Sequence, residues 1–512
     1  MKKLFFVSII SFIIFASCKK DLDQVPISVA TTVTFYQQPS DFIQAVNAAY
    51  NSLRAVPDQM LQLSEIRSDN IYPTNNDVGR DHDPISNFLP GIAPNTYVEG
   101  AWNNDFSGIF KANTVIEQIV KNPTTVGTAA LATRLTAEAR FLRAFFYFDL
   151  IKYYGKLPII DHPVVAGEAI TIPRSPVSDV YSFIIADLQF AVANLPANYA
   201  GTFPSYGATD VGRATKYAAE AVLAKVYMTR SGPNYGIEGA GMGLNEWNLA
   251  LPLLQDIINS GLYIFNLSFT SIFSYTNQSP SVNKEAVFDV MFLTGQNPVL
   301  GATYPWILSP QNYFNSLPAG NTPANGALGA PSASKDLVNS YAATDTRKSP
   351  TLHTTPFTYT GITDPNPFLR KYLDTTKIPT SRFDWGINFI VVRYTDILML
   401  KAECILHGSP GTQTDVDGIV NQVRTRAGQP TLTNVTLPQL FAERRREFAN
   451  EGLRWFDLQR SGDLLTIMNA WIAVEDAALH KMNQVIANYI IYPVPQSQMD
   501  GAPGLYTQNP GY

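Results

Sequence analysis

The strongest constraint on the fold is a helical pattern of apolar side chains over residues 137–151. Apolar side chains recur there at intervals of three and four residues, and they form one helix face (Phe141, Ala144, Phe145, Phe148 and Ile151). Gly155 and Pro158 follow, and a glycine followed by a proline is typical of a helix C-terminus. Such a helix must bury its apolar face against other elements, so this stretch predicts a packed helical core.

Similar patterns predict helices along most of the chain. They cover residues 215–229, 391–406 and 437–451, and shorter candidates cover 39–54, 101–121, 176–194, 248–260 and 415–427. Four alanines lie on one face of the helix over 215–229, and small side chains let another helix approach closely (Ala214, Ala218, Ala221 and Ala224). Many helices in sequence with such faces predict an α-solenoid of helical hairpins, although no strict repeat of roughly 34 residues is present.

Long polar segments separate these helices at residues 69–96, 295–334 and 353–385. Loops of this length in a compact protein are usually functional or disordered, and binding residues often lie on such loops. Strand patterns are few, and residues 487–494 are the best candidate. We therefore predict a mainly α fold, a scaffold of helical hairpins with long loop-rich insertions and a few short strands.

The N-terminus has the features of a bacterial lipoprotein signal. Lys2 and Lys3 precede an apolar run over residues 4–15, which is too short to span a bilayer as a helix of about 20 residues. The run ends at Ala16-Ser17-Cys18, where small residues give a lipoprotein signal peptidase access to the bond before the cysteine. We predict a signal peptide over residues 1–17 and lipidation of Cys18, with a plain secreted protein as the alternative.

Charge and residue spacing argue against several other functions. The net charge is −5 with no basic excess, so nucleic acid is not an expected partner. The five histidines are scattered without paired ligand spacing, and we expect no metal ion and no cofactor. Cys404, the only other cysteine, lies in an apolar helical pattern and is expected in the core. Asp415 is expected to cap a helix rather than to bind calcium.

Three glutamates at four-residue spacing raise the question of catalysis. Glu443, Glu447 and Glu451 share one helix face, and a glycosidase would use two such carboxylates as acid and nucleophile. The neighbouring arginines stabilise the charged form, whereas a general acid needs a raised pKa. We therefore predict interhelical ion pairs and no enzymatic activity, and a surface polysaccharide hydrolase remains an alternative.

Aromatic residues in the long loops are the candidates for ligand binding. Sugar rings present apolar C–H faces that stack on aromatic rings, while amide, carboxylate and guanidinium groups bond their hydroxyls. We predict a platform that includes Trp306, Tyr304 and Tyr313, with Trp385 as a second candidate position. The possible polar partners are Asp69, Asn70 and Arg80. The alternative is that these rings only fix the loops to the scaffold.

A family resemblance is carried by short motifs in a fixed order over nearly the whole chain. The motifs are Ala48-Ala49-Tyr50-Asn51, Glu138-Ala139-Arg140-Phe141-Leu142-Arg143-Ala144, Arg213-Ala214-Thr215-Lys216, Arg393-Tyr394-Thr395-Asp396-Ile397-Leu398, Glu443-Arg444-Arg445-Arg446-Glu447-Phe448, Trp455-Phe456-Asp457-Leu458 and Tyr492-Pro493-Val494-Pro495. Each motif alone is modest, but together they resemble the SusD/RagB family of Bacteroidota outer-membrane lipoproteins.

The resemblance implies both a fold and a function. Family members have a scaffold of tetratricopeptide-like helical hairpins and no catalytic residues. They face the cell exterior and deliver oligosaccharides to a SusC-like TonB-dependent outer-membrane transporter. Some members bind peptides instead, and a helical-repeat adaptor that binds only protein is a further alternative.

The expected domain organisation follows from the same resemblance. Residues 18–512 would form a single domain anchored in the membrane through the N-terminal lipid. Within it, we expect the helical scaffold at about residues 36–260 and 390–460 and the loop-rich ligand-binding part at about 265–390. A C-terminal segment covers residues 461–512.

Overall fold

The computed structural model describes residues 35–73, 81–279, 282–318 and 331–512, and helices dominate these ranges. The helices of eight residues or more are α1 (Pro39–Tyr50), α2 (Thr96–Lys121), α3 (Ala129–Tyr154), α4 (Val177–Asn194), α5 (Lys216–Ser231), α6 (Trp247–Asn259), α7 (Tyr394–Leu406), α8 (Gln413–Arg426), α9 (Leu437–Phe448), α10 (Arg454–Ser461) and α11 (Leu464–Glu475).

Shorter helical segments connect the long helices. They are α-helical at Val56–Met60, His82–Ser86, Ala166–Ala169, Phe269–Ile272, Tyr304–Ile307, Gln311–Ser316, Lys335–Ser340, Lys348–Thr351 and Gln496–Gly501, 3₁₀ at Asn51–Ala55, Ala208–Asp210 and Ala487–Ile490, and π at Leu61–Glu65.

The long helices pack in the order of the chain. Each of the helices α1 to α7 packs against the next one, and α9 then contacts α7, α8 and α10. The four alanines predicted to form a close-packing face are fully buried between these helices. This arrangement confirms the predicted scaffold of helical hairpins.

Helix α3 lies at the centre of the scaffold and is buried on nearly every side. It ends at Gly155, as predicted, because this residue has a φ of +70° that other residues rarely adopt. A side chain here would also overlap the carbonyl oxygen of Glu238. On the neighbouring helix α2, Gly108 allows the ring of Phe146 to approach the backbone directly. The two glycines therefore set where α3 stops and how closely α2 lies.

The described strands are short and form four antiparallel pairs. They are β1 (Ile71–Tyr72) with β3 (Ser332–Ala333), β2 (Ala286–Val290) with β8 (Phe389–Arg393), β4 (Leu352–His353) with β7 (Phe368–Leu369) and β5 (Phe357–Tyr359) with β6 (Ile362–Asp364). The β2–β8 pair is fully buried, and an irregular register follows Ala286.

Two predicted elements differ from the observed ones. The helix predicted over 391–406 begins only at Tyr394, because the β-branched residues before it pair with β2 as part of β8. The strand predicted over 487–494 is wrong, and its first half is a 3₁₀ helix. In its second half, the N–H of Tyr492 donates to the carbonyl of Tyr153 at 2.6 Å rather than to a neighbouring strand.

The predicted interhelical ion pairs are confirmed as a buried network. Glu447 on α9 accepts from Arg426 on α8 at 2.5 Å, from Arg393 at 3.0 Å and from Arg347 at 3.1 Å. Glu451 accepts from Arg393 and from Lys371, each at 2.8 Å. Most of these cations come from distant segments and not from the arginines next to the glutamates, so the network joins α8, α9, β8 and the loop-rich part.

Other core predictions also hold. Cys404 is buried, and burial raises the pKa of its thiol above its usual range. Asp415 forms a capping box with Thr412 at the start of α8. Within the described ranges, we find no helix that is both long and apolar enough to cross a membrane.

Candidate functional site

The loop-rich part of the molecule consists of residues 291–318 and 352–388, and we call it the loop face. Trp306 lies here on the helical turn Tyr304–Ile307 and is half-buried. Its ring stacks against the guanidinium of Arg382, with 4.9 Å between the guanidinium carbon and the ring centroid. The same guanidinium lies 4.6 Å from the ring centroid of Phe383, which is 45% exposed. Trp306, Arg382 and Phe383 therefore form a row, with the cation between the two rings, that reaches the surface.

Hydrogen bonds within the loop face hold this row in place. The N–H of Ala302 donates to the carbonyl of Trp385 at 2.8 Å, and the indole N–H of Trp385 donates to the carbonyl of Arg382 at 3.1 Å. Asp384 accepts from the backbone N–H of Gly295 at 2.9 Å. Because these bonds fix the backbone on both sides of Arg382 and Phe383, the row needs little ordering when it binds a ligand.

The row suits a ligand that has flat apolar faces and hydroxyl groups. Trp306 and Phe383 offer ring surface, and Arg382 offers N–H donors between them. The indole N–H of Trp306 is buried without a hydrogen-bond partner among the described residues. A buried donor of this kind costs free energy unless water or a ligand accepts from it.

Three other predicted aromatic residues are in the interior. Tyr304 is 1% exposed, and its hydroxyl donates to the carbonyl of Asn388 at 2.8 Å. Trp385 is 0% exposed. Tyr313 packs against the rings of Phe357 and Phe368, with centroid distances of 5.5 and 4.8 Å. In this structure these three rings pack in the interior, and of the predicted platform residues only Trp306 keeps part of its ring at the surface, beside Arg382 and Phe383.

The predicted polar partners Asp69 and Asn70 are also buried and take structural roles. The two carboxylate oxygens of Asp69 accept from Nε and Nη2 of Arg454, each at 2.7 Å. Asn70 donates to Glu65 at 2.8 Å and accepts from Arg445 at 2.9 Å. Burial alone would raise the pKa of Asp69, but Arg445 and Arg454 lower it to about 2. Both side chains are therefore engaged with other protein groups in this structure, and their role toward a ligand stays a prediction.

Two predicted sites lie outside the described residues, namely the lipidation site Cys18 and the polar partner Arg80. Sequence reasoning missed Arg382 and Phe383, although both precede Trp385 in a segment already selected for its aromatic content. In the part of the chain that the structure describes, no group of three or more His, Cys, Asp or Glu side chains could hold a metal ion.

Family comparisons match both halves of the chain. A family model described as the SusD family matches residues 354–512, and one described as "Starch-binding associating with outer membrane" matches residues 21–228. A SusD-like protein of Bacteroides ovatus is 27% identical over 485 residues, which cover 90% of this chain and 82% of that protein.

Solved structures show the same fold. Surface glycan-binding protein A from Bacteroides uniformis has a TM-score of 0.75 at 23% identity, and the match covers 92% of this chain and 100% of that one. Surface glycan-binding protein A from Bacteroides thetaiotaomicron in complex with laminarihexaose has a TM-score of 0.74 at 22% identity, covering 93% and 100%. At this level of identity the likeness establishes the architecture.

Proposed function

Because the chain belongs to the SusD/RagB family, we propose that it is an outer-membrane lipoprotein that binds oligosaccharide and does not cleave it. The protein would face the cell exterior, with its mature chain starting at the lipidated Cys18. It would deliver its ligand to a SusC-like TonB-dependent transporter. A peptide ligand is the alternative within the same family.

The observation that carries this proposal is the row of Trp306, Arg382 and Phe383 on the loop face. It presents ring surface and hydrogen-bond donors side by side, which is the combination that a sugar ring requires. Support for the ligand class comes from the description of one matching family model as starch-binding and from the related fold that was solved with laminarihexaose.

The surroundings of the glutamates support a binding role over hydrolysis. Glu443 and Glu447 are buried and paired with arginines. Burial alone would raise the pKa of Glu447, but Arg426, Arg393 and Arg347 hold it well below its usual range. A glycosidase acid needs a raised pKa and access to the glycosidic bond, and these side chains offer neither.

Trp306→Ala tests the ligand site. A lost aromatic stack costs about 1–3 kcal/mol by analogy with base stacking. We therefore expect binding of the best oligosaccharide from a glycan array to weaken by roughly ten- to a hundredfold, measured by isothermal titration calorimetry. The free energy of unfolding should change little, because the ring is only half-buried. A peptide library screened in parallel tests whether the protein binds peptides instead.

Phe110→Ala is the matched control, because Phe110 is an exposed ring on the scaffold helix α2, 47% exposed and outside the loop face. This variant should bind normally. Normal binding by Trp306→Ala together with a clear loss of stability would mean that Trp306 only fixes its loop, and the proposed site would be wrong.

Membrane anchoring and the transporter need separate tests. Cys18→Ala should release a folded protein from the membrane fraction of cells that lack the transporter, because the lipid is the proposed anchor. Extraction of the wild-type protein in mild detergent should co-purify a large outer-membrane barrel. A Cys18→Ala protein that stays in the membrane, or a wild-type protein that always purifies alone, would contradict these two parts of the proposal.

A further inference from the structure

Two adjoining cavities form a cleft between the loop over residues 197–213 and strand β2. Their volumes are about 370 and about 520 Å³, and neither is lined by Trp306, Arg382 or Phe383. Val211, Gly212 and Asp289 line both cavities, and we call the pair the Asp289 cleft. Both volumes fall within the range of roughly 300–1,000 Å³ that small-molecule sites occupy.

Aromatic side chains form part of the wall of the first cavity. Tyr199, Tyr263 and Phe288 line it. The hydroxyl of Tyr199 donates to the carbonyl of Arg213 at 2.6 Å, and its ring stacks on Tyr206 with centroids 5.8 Å apart. The Tyr199 ring is therefore fixed from behind while it lines the cavity, which is how a rigid stacking surface is built.

Polar side chains complete the cleft. Asp289 is 5% exposed, and one of its carboxylate oxygens accepts from the side-chain amide of Asn388 at 2.9 Å. The exposed amides of Asn47 and Asn51 line the second cavity, and that of Asn198 lines the first. The oxygens of these three amides already accept from protein groups, so the amides offer N–H donors. Together with the acceptor Asp289 they match hydroxyl groups, which both donate and accept.

The arginines that line the second cavity do not favour an anionic ligand. Arg213 is already paired with Glu138 at 2.7 Å and with Asp210 at 3.0 Å. Arg54 donates to the carbonyl oxygens of Val299 and Gly301 at 3.1 and 3.2 Å. Lys284 lines the first cavity from an exposed position, but both arginines of the second cavity are engaged and Asp289 lies on the shared wall. The wall that the two cavities share therefore suits a neutral hydroxyl better than a phosphate or a sulfate.

We infer that the Asp289 cleft is a second carbohydrate subsite, which takes a neutral pyranose ring against Tyr199 and Tyr263 with a hydroxyl donating to Asp289. The inference rests on the proposed function for its ligand class, but it uses none of the residues of the row at Trp306. The loop over residues 291–303 connects the two places, because Phe292 and Leu300 line the second cavity while Thr294 donates to Asp384 beside Phe383.

The test measures pyranose binding in protein that lacks the first site. Saturation-transfer NMR is recorded on Trp306→Ala protein with D-glucose, D-galactose, D-mannose and D-xylose as probes. At least one probe should give a transfer signal. That signal should be lost when Ala208→Trp is added, because Ala208 is exposed on the 3₁₀ turn and lines the first cavity, so an indole there fills the cleft.

Two further variants keep the result interpretable. Ala130→Trp adds the same ring at an exposed position that lines neither cavity, and it should leave the signal unchanged. Asp289→Asn keeps the shape of the side chain and should weaken binding about fivefold, the equivalent of one hydrogen bond worth about 1 kcal/mol.

The outcomes separate the two proposals. If no probe gives a signal in Trp306→Ala protein, or if the signal survives the addition of Ala208→Trp, the second subsite is wrong. The proposed function would still stand in that case, because it depends on oligosaccharide binding by the wild-type protein and on its loss in Trp306→Ala.

Discussion

Replacing Asp69 by Asn distinguishes a structural role of this side chain from a role in ligand binding. Asp69 is 1% exposed, and its carboxylate forms two parallel hydrogen bonds with the guanidinium of Arg454, each at 2.7 Å. Arg445 lies 3.4 Å away on the other side. Because both arginines are nearly buried, the substitution leaves positive charge in the interior without its counterion.

The size of the effect follows from the pKa and from the burial. Arg445 and Arg454 overcome the effect of burial and lower the pKa of Asp69 from 3.8 to about 2, which corresponds to about 2 kcal/mol of stabilisation at neutral pH. Removal of one partner from a buried ion pair typically costs about 3–5 kcal/mol. We therefore expect Asp69→Asn to lower the free energy of unfolding by about 3–5 kcal/mol.

The pH dependence gives a second signature. The folded pKa lies below the unfolded value, so the stabilisation is complete above pH 4 and is lost as the pH falls through about 2. The difference in unfolding free energy between wild type and variant should shrink accordingly below pH 4.

Urea unfolding followed by circular dichroism measures the stability, and calorimetry with the best oligosaccharide from the glycan array measures the binding. Asp336→Asn is the matched control, because Asp336 also pairs with Arg445 but its side chain is 53% exposed, and it should cost less than about 1 kcal/mol. Wild-type stability with lost oligosaccharide binding in Asp69→Asn would refute the structural assignment and restore Asp69 as a ligand-binding residue.

Three further substitutions probe the scaffold and the cleft. Gly155→Ala should cost more than about 1 kcal/mol of unfolding free energy in urea titrations, because of the positive φ and the contact with Glu238, whereas Gly167→Ala in open space should cost little. Burial raises the pKa of Asp289 to about 7, so the folded state holds this proton more tightly than the unfolded chain does. The free energy of unfolding should therefore fall by at most about 4 kcal/mol as the pH rises from about 4 to about 7. Asp289→Asn should remove that decline in a pH series of unfolding curves. Glu447→Gln should cost about 3–5 kcal/mol, because three arginines lose their shared carboxylate, and an unchanged urea midpoint would contradict this role.

The amino-acid sequence alone was sufficient for the scaffold. Two patterns indicate which side of a helix is buried, namely the apolar spacing before Gly155 and the alanine face of α5. Both patterns are local properties of the chain. Asp415 was predicted as a helix cap in the same local way, and it lies in the capping box at the start of α8. The motif order indicated the family for the same reason, since each motif is a short, continuous stretch of the chain.

Strand assignments were less predictable, because a strand is defined by its partner. The residues of β8 and those over 487–494 are similarly rich in aliphatic side chains. Only the former pairs with a second strand, β2. The latter bonds instead to the end of α3 and to Gln508, so it forms no ladder.

The tertiary structure decided which loop aromatic residues are accessible. Tyr304 and Trp306 are two residues apart on one helical turn, yet Asn388 and its neighbours cover the first and leave the second half-buried beside Arg382. In sequence, Asp69 resembled a ligand-binding carboxylate. Its partner Arg454 lies 385 positions away, so no local pattern could predict the ion pair between them. Helix position depends on spacing along the chain, whereas the exposure of a ring or a carboxylate depends on which distant segments fold over it.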